Sequence, residues 1–520
     1  MSNDDNKPLT GLTDKLQDLK DEFGNRIENS DFETWLKGVK EEVGDGIEMM
    51  ARRARGVFNP NLVTMQLKDI QSIVLRERPT PYFGTVVALK INNADVGKQM
   101  LAQVLPDVTG SEDWHKDMQA TLSIVMTYEG LQALGVPQSS LDSFPESFKA
   151  GMAARAEQLR DFDVNAPENW MAPFGDKGDI HVGAAIIADT KDKWQAKLDE
   201  LRDNLTDHID VDNPANGDVE ILIEQDFGSN DNVKNVFGYH DGISNPEIQG
   251  SGIQTPSNHD GDPIAAGEFV LGYEGEAGIV APMPQPEVLG KNGSFMVLRA
   301  YHSHVATFNK YRKDNTDSEE EAELLGAKMW GRWRSGAPLV LSPDHDDKAL
   351  GDDPSRNNDF GYKDDPYGKK CPFGAHIRRM NPRDSEDFIL SDVRIHRIVR
   401  RSVGFGEVVP PDVIEDDGKD RGLFFIGINA HAMETVEFLQ SQWINDGNFM
   451  SLGEEKDPMV GLHFGDKGGS DKDSDADNFT VPADPIRKRY HGIETFNTLH
   501  GGEYFFIPSL SALKWISELS

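Results

Sequence analysis

Two spacings of apolar residues alternate along the chain. Between residues 1 and 76, Leu12, Leu16 and Leu19, then Phe32, Trp35, Leu36, Val39, Val43 and Ile47 recur at helical steps among dense charges, as amphipathic helices require. From Tyr82 the pattern changes. YFGTVVALKI at 82–91 and DIHVGAAII at 179–187 are rich in β-branched and aromatic residues and predict strands. In the second half GSFMVLRAY from Gly293 reads as a strand running into the helical HSHVATFNKYRK, and RGLFFIGINA from Arg421 as a strand running into the helical HAMETVEFLQSQWIND. The same rhythm in both halves predicts an α+β protein made of two similar units. Between them, the glycines and prolines of EGEAGIVAPMPQPEVLG at 274–290 disfavour regular elements and set a boundary near 288. The expected organisation is a helical extension over 1–76, one domain over 77–288 and a second over 289–520.

Composition narrows the function. A chain of 520 residues exceeds what one typical core supports, which agrees with two units and leaves room for a buried site. Against 53 Lys and Arg stand 89 Asp and Glu, a formal charge of -36 that repels polyphosphate and anionic bilayers within the screening length. Neither nucleic acid nor membrane is an expected partner. Cys371 is the single cysteine, which excludes intrachain disulfides and thiolate metal clusters and reads as a small buried residue. MSNDDNKPLTGL has no basic-then-apolar leader, and no run of about 18 apolar residues occurs, so a cytoplasmic location is expected, with non-standard export left open. The acidic stretches 313–323 and 465–478 read as solvated surface. In the second, DKDSDAD alternates oxygen ligands, but Ala476 and Pro482 stand where a calcium loop needs its turn glycine and its bidentate Glu.

Three segments place ionisable groups beside turn residues: FGYHDGISNPEIQG at 237–250, CPFGAHIRRMNPRD at 371–384 and HRIVRRSVGFG at 396–406. Asp241 lies between Gly238 and Gly242, ahead of Asn245 and Pro246, in a tight bend. His376 follows a small Ala375 on a short element stopped by Asn381 and Pro382. Strand periodicity puts Ile398, Arg400 and Ser402 on one face. Singly, each has a plain structural explanation: a common Asp-Gly turn, a core histidine, a salt-bridged arginine.

Together, in this order and spacing, the three segments resemble the dye-decolorizing peroxidase family, whose marks are G-x-x-D-G, a histidine in an AHIRR-like run, and an arginine in an RRxxxxG-like strand. ERPTPYFGTVVALKIN, MWGRWRSGAPLVLSP and GGEYFFIPSLSAL are similar to further family segments, and the resemblance covers roughly residues 77–520. It implies two ferredoxin-like domains with antiparallel sheets and one haem b per chain, held mainly by the C-terminal domain between the sheets. By the same resemblance His376 ligates the iron, Asp241 and Arg400 work the peroxide, and Arg383 pairs with a haem propionate. Ser402, Leu423 and Phe425 line the pocket, and Glu437 accepts the second imidazole N–H. Hydrogen peroxide and dyes, phenolics or other bulky aromatic donors are the implied substrates. Bulky donors are expected to pass electrons through a surface Trp330, Trp333, Trp443, Tyr490 or Tyr504. Two other readings of the scaffold stay open: a haem carrier or sensor, which needs His376 but not Asp241 with Arg400, and a protein that releases iron from haem. No G-x-G-x-x-G between strand and helix and no P-loop occurs, against nucleotide-dependent chemistry. The oligomeric state stays open.

Overall fold

The computed structural model describes residues 65–112, 120–175, 179–206, 208–210, 216–229, 234–252, 263–385, 392–464 and 477–520. The helices expected over 1–64 and the DKDSDAD run up to Ala476 lie outside the described residues. Gln66–Ser520 form one compact unit. Residues 66–76, grouped with the extension by sequence, therefore belong to the folded body, where Ile70, Ile73, Val74 and Leu75 are buried.

Four strands of the first half, β1 (Tyr82–Ile91), β2 (Thr121–Met126), β3 (Val182–Ala188) and β4 (Val219–Ser229), alternate with helices α1 (Ala94–Val104) and α2 (Lys191–Thr206). They pair antiparallel in the order β4-β1-β3-β2, the β-α-β-β-α-β arrangement of a ferredoxin-like unit. The second half repeats it. Its strands are β5 (Ser294–Ser303), β6 (Val399–Arg400), β7 (Val403–Phe405), β8 (Gly422–Asn429) and, after a ribbon of β9 (Phe479–Val481) and β10 (Lys488–Tyr490), β11 (Asn497–Ile507). Helices α3 (Val305–Asp314), α4 (Glu319–Trp330) and α5 (His376–Met380) follow β5; α6 (Ala432–Phe438) follows β8; and α7 (Leu510–Ser517) ends the chain. The order is β11-β5-β8-β6, with β7 also on β8.

Met126 of β2 pairs with Phe506 of β11, so the halves share one nine-stranded sheet. At the other end β4 comes alongside β7 without a ladder among the described residues. The core follows this continuity: Val87, Ile124 and Ile186 of the first half share a buried cluster with Phe295, Val297 and Phe506 of the second. One correction concerns 313–323, expected as solvated surface. Ser318 caps α4 by accepting the Glu321 N–H, with Glu319 and Glu320 exposed in its first turn, where the helix dipole favours carboxylates. Glu323 faces inward instead and pairs with Arg312 and Arg334, each at 2.6 Å.

Candidate active site

A cavity enclosing about 1470 Å³ of empty space, its open mouth included, lies against the second-half sheet, a concave site of the kind that takes small molecules and cofactors. The period of two along β8 decides which side chains face it. Leu423 and Phe425 line this cavity while Phe424 and Ile426 line a smaller apolar one on the other side. His376, Asp241, Arg383, Arg400, Ser402, Leu423 and Phe425 all lie on the large cavity's wall; Glu437 does not.

His376 opens the short helix α5, and its Nδ1 lies 2.9 Å from Asp457 Oδ2. The Asp457 side chain is 0% exposed, and its Oδ1 accepts the N–H groups of Met459 and Val460 at 2.9 and 3.1 Å. Burial alone would raise the Asp457 pKa, but His376, Arg379 and the Met459 N–H outweigh it and hold the carboxyl below its ordinary range. An ionised Asp457 makes Nδ1 the donor and leaves Nε2, which no described residue engages, as a free lone pair toward the cavity. The indole of Trp330 packs edge-on to this imidazole, with centroids 5.6 Å apart.

The partner of His376 is thus Asp457 and not Glu437. The neighbours Val436 and Gln440 line the cavity, but Glu437 turns away from it, accepts the Tyr504 hydroxyl at 2.9 Å and pairs with Arg155. Asp457 lies 81 residues from His376 in an irregular segment, where helical periodicity says nothing. Its sequence signal was local: an Asp ahead of Pro458 that closes a turn onto the following N–H groups.

Asp241 and Arg400 are brought together by backbone. Gly238 and Gly242 adopt φ of +83° and +84°, which favours glycine. The bend then staples itself to β6: Asn245 Oδ1 accepts the Arg400 N–H at 2.9 Å and the Ile243 carbonyl accepts the Arg400 guanidinium. The direct partner of Asp241 is a residue the sequence reading did not single out, Arg78, whose Nη2 lies 3.1 Å from Asp241 Oδ2. Burial would raise the Asp241 pKa, yet Arg78, Arg400 and the Gly242 N–H together bring it below the usual carboxylate range. The Ser402 hydroxyl accepts the Ile426 N–H at 3.1 Å and is a staple between strands.

Arg332, also not anticipated, is buried on the cavity wall. It donates to the carbonyls of Gly336 and Asn357 and to Asn358 Oδ1, with no carboxylate partner among the described residues. Burial, then the nearby Arg383, lowers its pKa to about 9. A buried cation of this kind calls for an anion. Arg383 lies over the Phe360 ring at 3.8 Å and donates to the Phe360 carbonyl at 2.8 Å.

Residues 69–220 match the family model of the DyP dimeric alpha+beta barrel domain. Peroxidase 2 of Mycetinis scorodonius is 31% identical across 87% of this chain and 88% of its own length. The chain belongs to the dye-decolorizing peroxidase family. A solved ancestral D-type dye-decolorizing peroxidase superposes with a TM-score of 0.72 at 29% identity, covering 87% of this chain and 99% of that one. A dye-decolorizing peroxidase solved with 2,6-dimethoxyphenol gives 0.72 at 26% identity, covering 87% and 100%.

As a member of that family this peroxidase is haem-dependent, and its cavity fits the group: an imidazole lone pair from a carboxylate-held histidine, apolar walls, and a buried guanidinium without a counter-charge among the described residues. Of the five aromatics expected at the surface none is exposed. Trp333, Trp443 and Tyr504 are buried, and Trp330 and Tyr490 are half-buried, Trp330 on the cavity wall. No described helix is long and apolar enough to cross a membrane.

Proposed function

We propose that this peroxidase binds one haem b per chain through His376, reduces hydrogen peroxide, and oxidises dyes, phenolics and other bulky aromatic donors by one-electron steps. The observation that carries the reading is the joint presence, on one cavity wall, of an Asp457-held imidazole and the Asp241/Arg400 pair. A carrier or sensor needs only the first. When bound, haem supplies the redox chemistry of peroxide cleavage.

His376 would hold the haem iron through Nε2, and the ionised Asp457 on Nδ1 would fix the ring and strengthen its electron donation. Asp241 takes the proton of the bound peroxide on a carboxylate oxygen and returns it to the departing oxygen. Arg400, charged at all working pH, stabilises the negative charge that develops as the peroxide bond breaks. Arg332 and Arg383 would hold the haem carboxylates, to which a guanidinium fork is matched. Leu423 and Phe425 limit water. The phenolic donor class is supported by the relative solved with 2,6-dimethoxyphenol.

The test is the absorption spectrum of the purified protein supplied with haem, before and after stoichiometric hydrogen peroxide, for wild type and His376→Ala. A Soret band that shifts with peroxide in wild type and is lost or grossly altered in His376→Ala is the expected result. Absence of a stable haem complex in wild type would overturn the proposal.

A further inference from the structure

The carboxylate of Asp241 has one side chain hydrogen-bonded to it among the described residues, and that side chain is Arg78. Arg400 acts on Asp241 through charge, while its own guanidinium is committed to the Ile243 carbonyl. Arg78 precedes β1 and belongs to the first half of the chain, yet it is tied down on three sides. Nη2 meets Asp241, Nη1 donates to the Ser402 carbonyl, and the guanidinium lies over the Tyr82 ring at 4.4 Å. Ser402 is itself fixed to β8 through its hydroxyl. The side chains of Arg78 and Asp241 are only 11% and 25% exposed, so this is no loose surface pair.

We propose that Arg78 is a positioning residue for Asp241. Its planar fork bridges the bend that carries the carboxylate to the backbone of the strand segment that follows Arg400, and it keeps Asp241 in place and ionised when peroxide arrives. Neither half of the chain supplies this arrangement alone. The groups that face Asp241 are Arg78 and Tyr82 from the first half, the Gly242 N–H from its own bend and Arg400 from β6. Farther out, Glu77 bears on both guanidiniums and Arg397 on Arg400.

Loss of Arg78 removes the nearest opposite charge, so the folded-state pKa of Asp241 rises and the carboxylate protonates at higher pH. An opposite charge within about 4–6 Å lowers an Asp pKa by roughly one to three units, which sets the size of the effect. The inference rests on the peroxidase reading for its consequence but not for its measurement.

Wild type, Arg78→Gln, Arg78→Lys and Asp241→Asn are compared by two readouts. The first is the pH titration of the Asp241 carboxyl by infrared spectroscopy of protein labelled with carbon-13 aspartate, with Asp241→Asn identifying the band. The second is the pH dependence of the bimolecular rate with hydrogen peroxide in haem-loaded protein. Arg78→Gln is expected to move both the infrared midpoint and the acid limb of the rate upward by about one pH unit or more, with the Soret position of the resting protein unchanged. Arg78→Lys keeps the charge but loses the fork and falls between. An Asp241 midpoint equal to wild type in folded Arg78→Gln overturns the proposal. If Arg78→Gln does not fold, an unmoved midpoint in Arg78→Lys does the same. Failure of the peroxidase reading looks different: the wild type takes up haem without reacting with peroxide, and the infrared titration still decides the role of Arg78.

Discussion

Asp457 meets His376 with one oxygen and two backbone N–H groups with the other. Asp457→Asn therefore keeps the shape and removes the charge. Loss of such a partner costs roughly 10–100-fold in metal affinity or activity, and a haem titration of Asp457→Asn should show a fall of that order, with the reduction potential of the bound haem raised because the imidazole donates less. Glu437→Gln should leave the haem titration as in wild type and lower the denaturation midpoint instead, since it disturbs only the pairing with Arg155 and Tyr504. A haem affinity that falls in Glu437→Gln and holds in Asp457→Asn would reverse the assignment. Much of the site was legible at this scale. His376, Asp241 and Arg400 stand in motifs of fixed local spacing, and Leu423 and Phe425 follow from strand alternation. Arg78 and Arg332 were not legible as site residues, and the local turn signal of Asp457 does not point to His376, because these pairings arise from tertiary contacts that no period records.

At the scale of elements, the turn between α4 and the following chain sets the relation of Trp330 to His376. Gly331 ends α4 with φ of +92°, and a Cβ placed there would lie 2.4 Å from Ile377 Cγ1 on α5. Gly331→Ala should lose at least about 1–2 kcal/mol from the left-handed backbone alone and push α5 away, so that thermal stability and haem affinity fall together. A variant of wild-type stability would show that the contact is soft. Strands were the most readable elements: the run expected at 82–91 is β1 to the residue. Two segments depart from their periodicity. HRIVRRSVGFG divides into β6 and β7, although Ile398, Arg400 and Ser402 all still face the cavity. The helix read through 431–446 leaves α-geometry at Leu439–Ile444 for a π-turn, as happens at functional sites. There Leu439, Gln440 and Ile444 reach the cavity wall, and the Trp443 carbonyl accepts Arg379.

Across the whole molecule, the charge of -36 sets a long-range field that acts on donors before they bind. At low ionic strength kcat/KM should be depressed for anionic dyes and raised for cationic dyes of similar redox potential, with both differences shrinking as salt shortens the screening length to about 8 Å near 0.15 M and neutral phenols little affected. Identical salt dependence for the two dye classes would show that the field at the entry site is not that of the molecule. The duplicated α+β plan was visible as a repeated rhythm. What the rhythm did not disclose is that β2 and β11 join the halves into one sheet, because strand partnership over that separation leaves no periodic trace.

That join bears on how the protein is made. Of all the sheet strands, β11 is the last to leave the ribosome, yet it sits between β2 and β5 in the middle of the sheet. Until it arrives, the nascent chain carries two open β edges that can recruit each other or a neighbouring polypeptide. Synthesis interrupted before Asn497 would leave both edges permanently unpaired, so truncated products should self-associate rather than accumulate as a smaller folded protein.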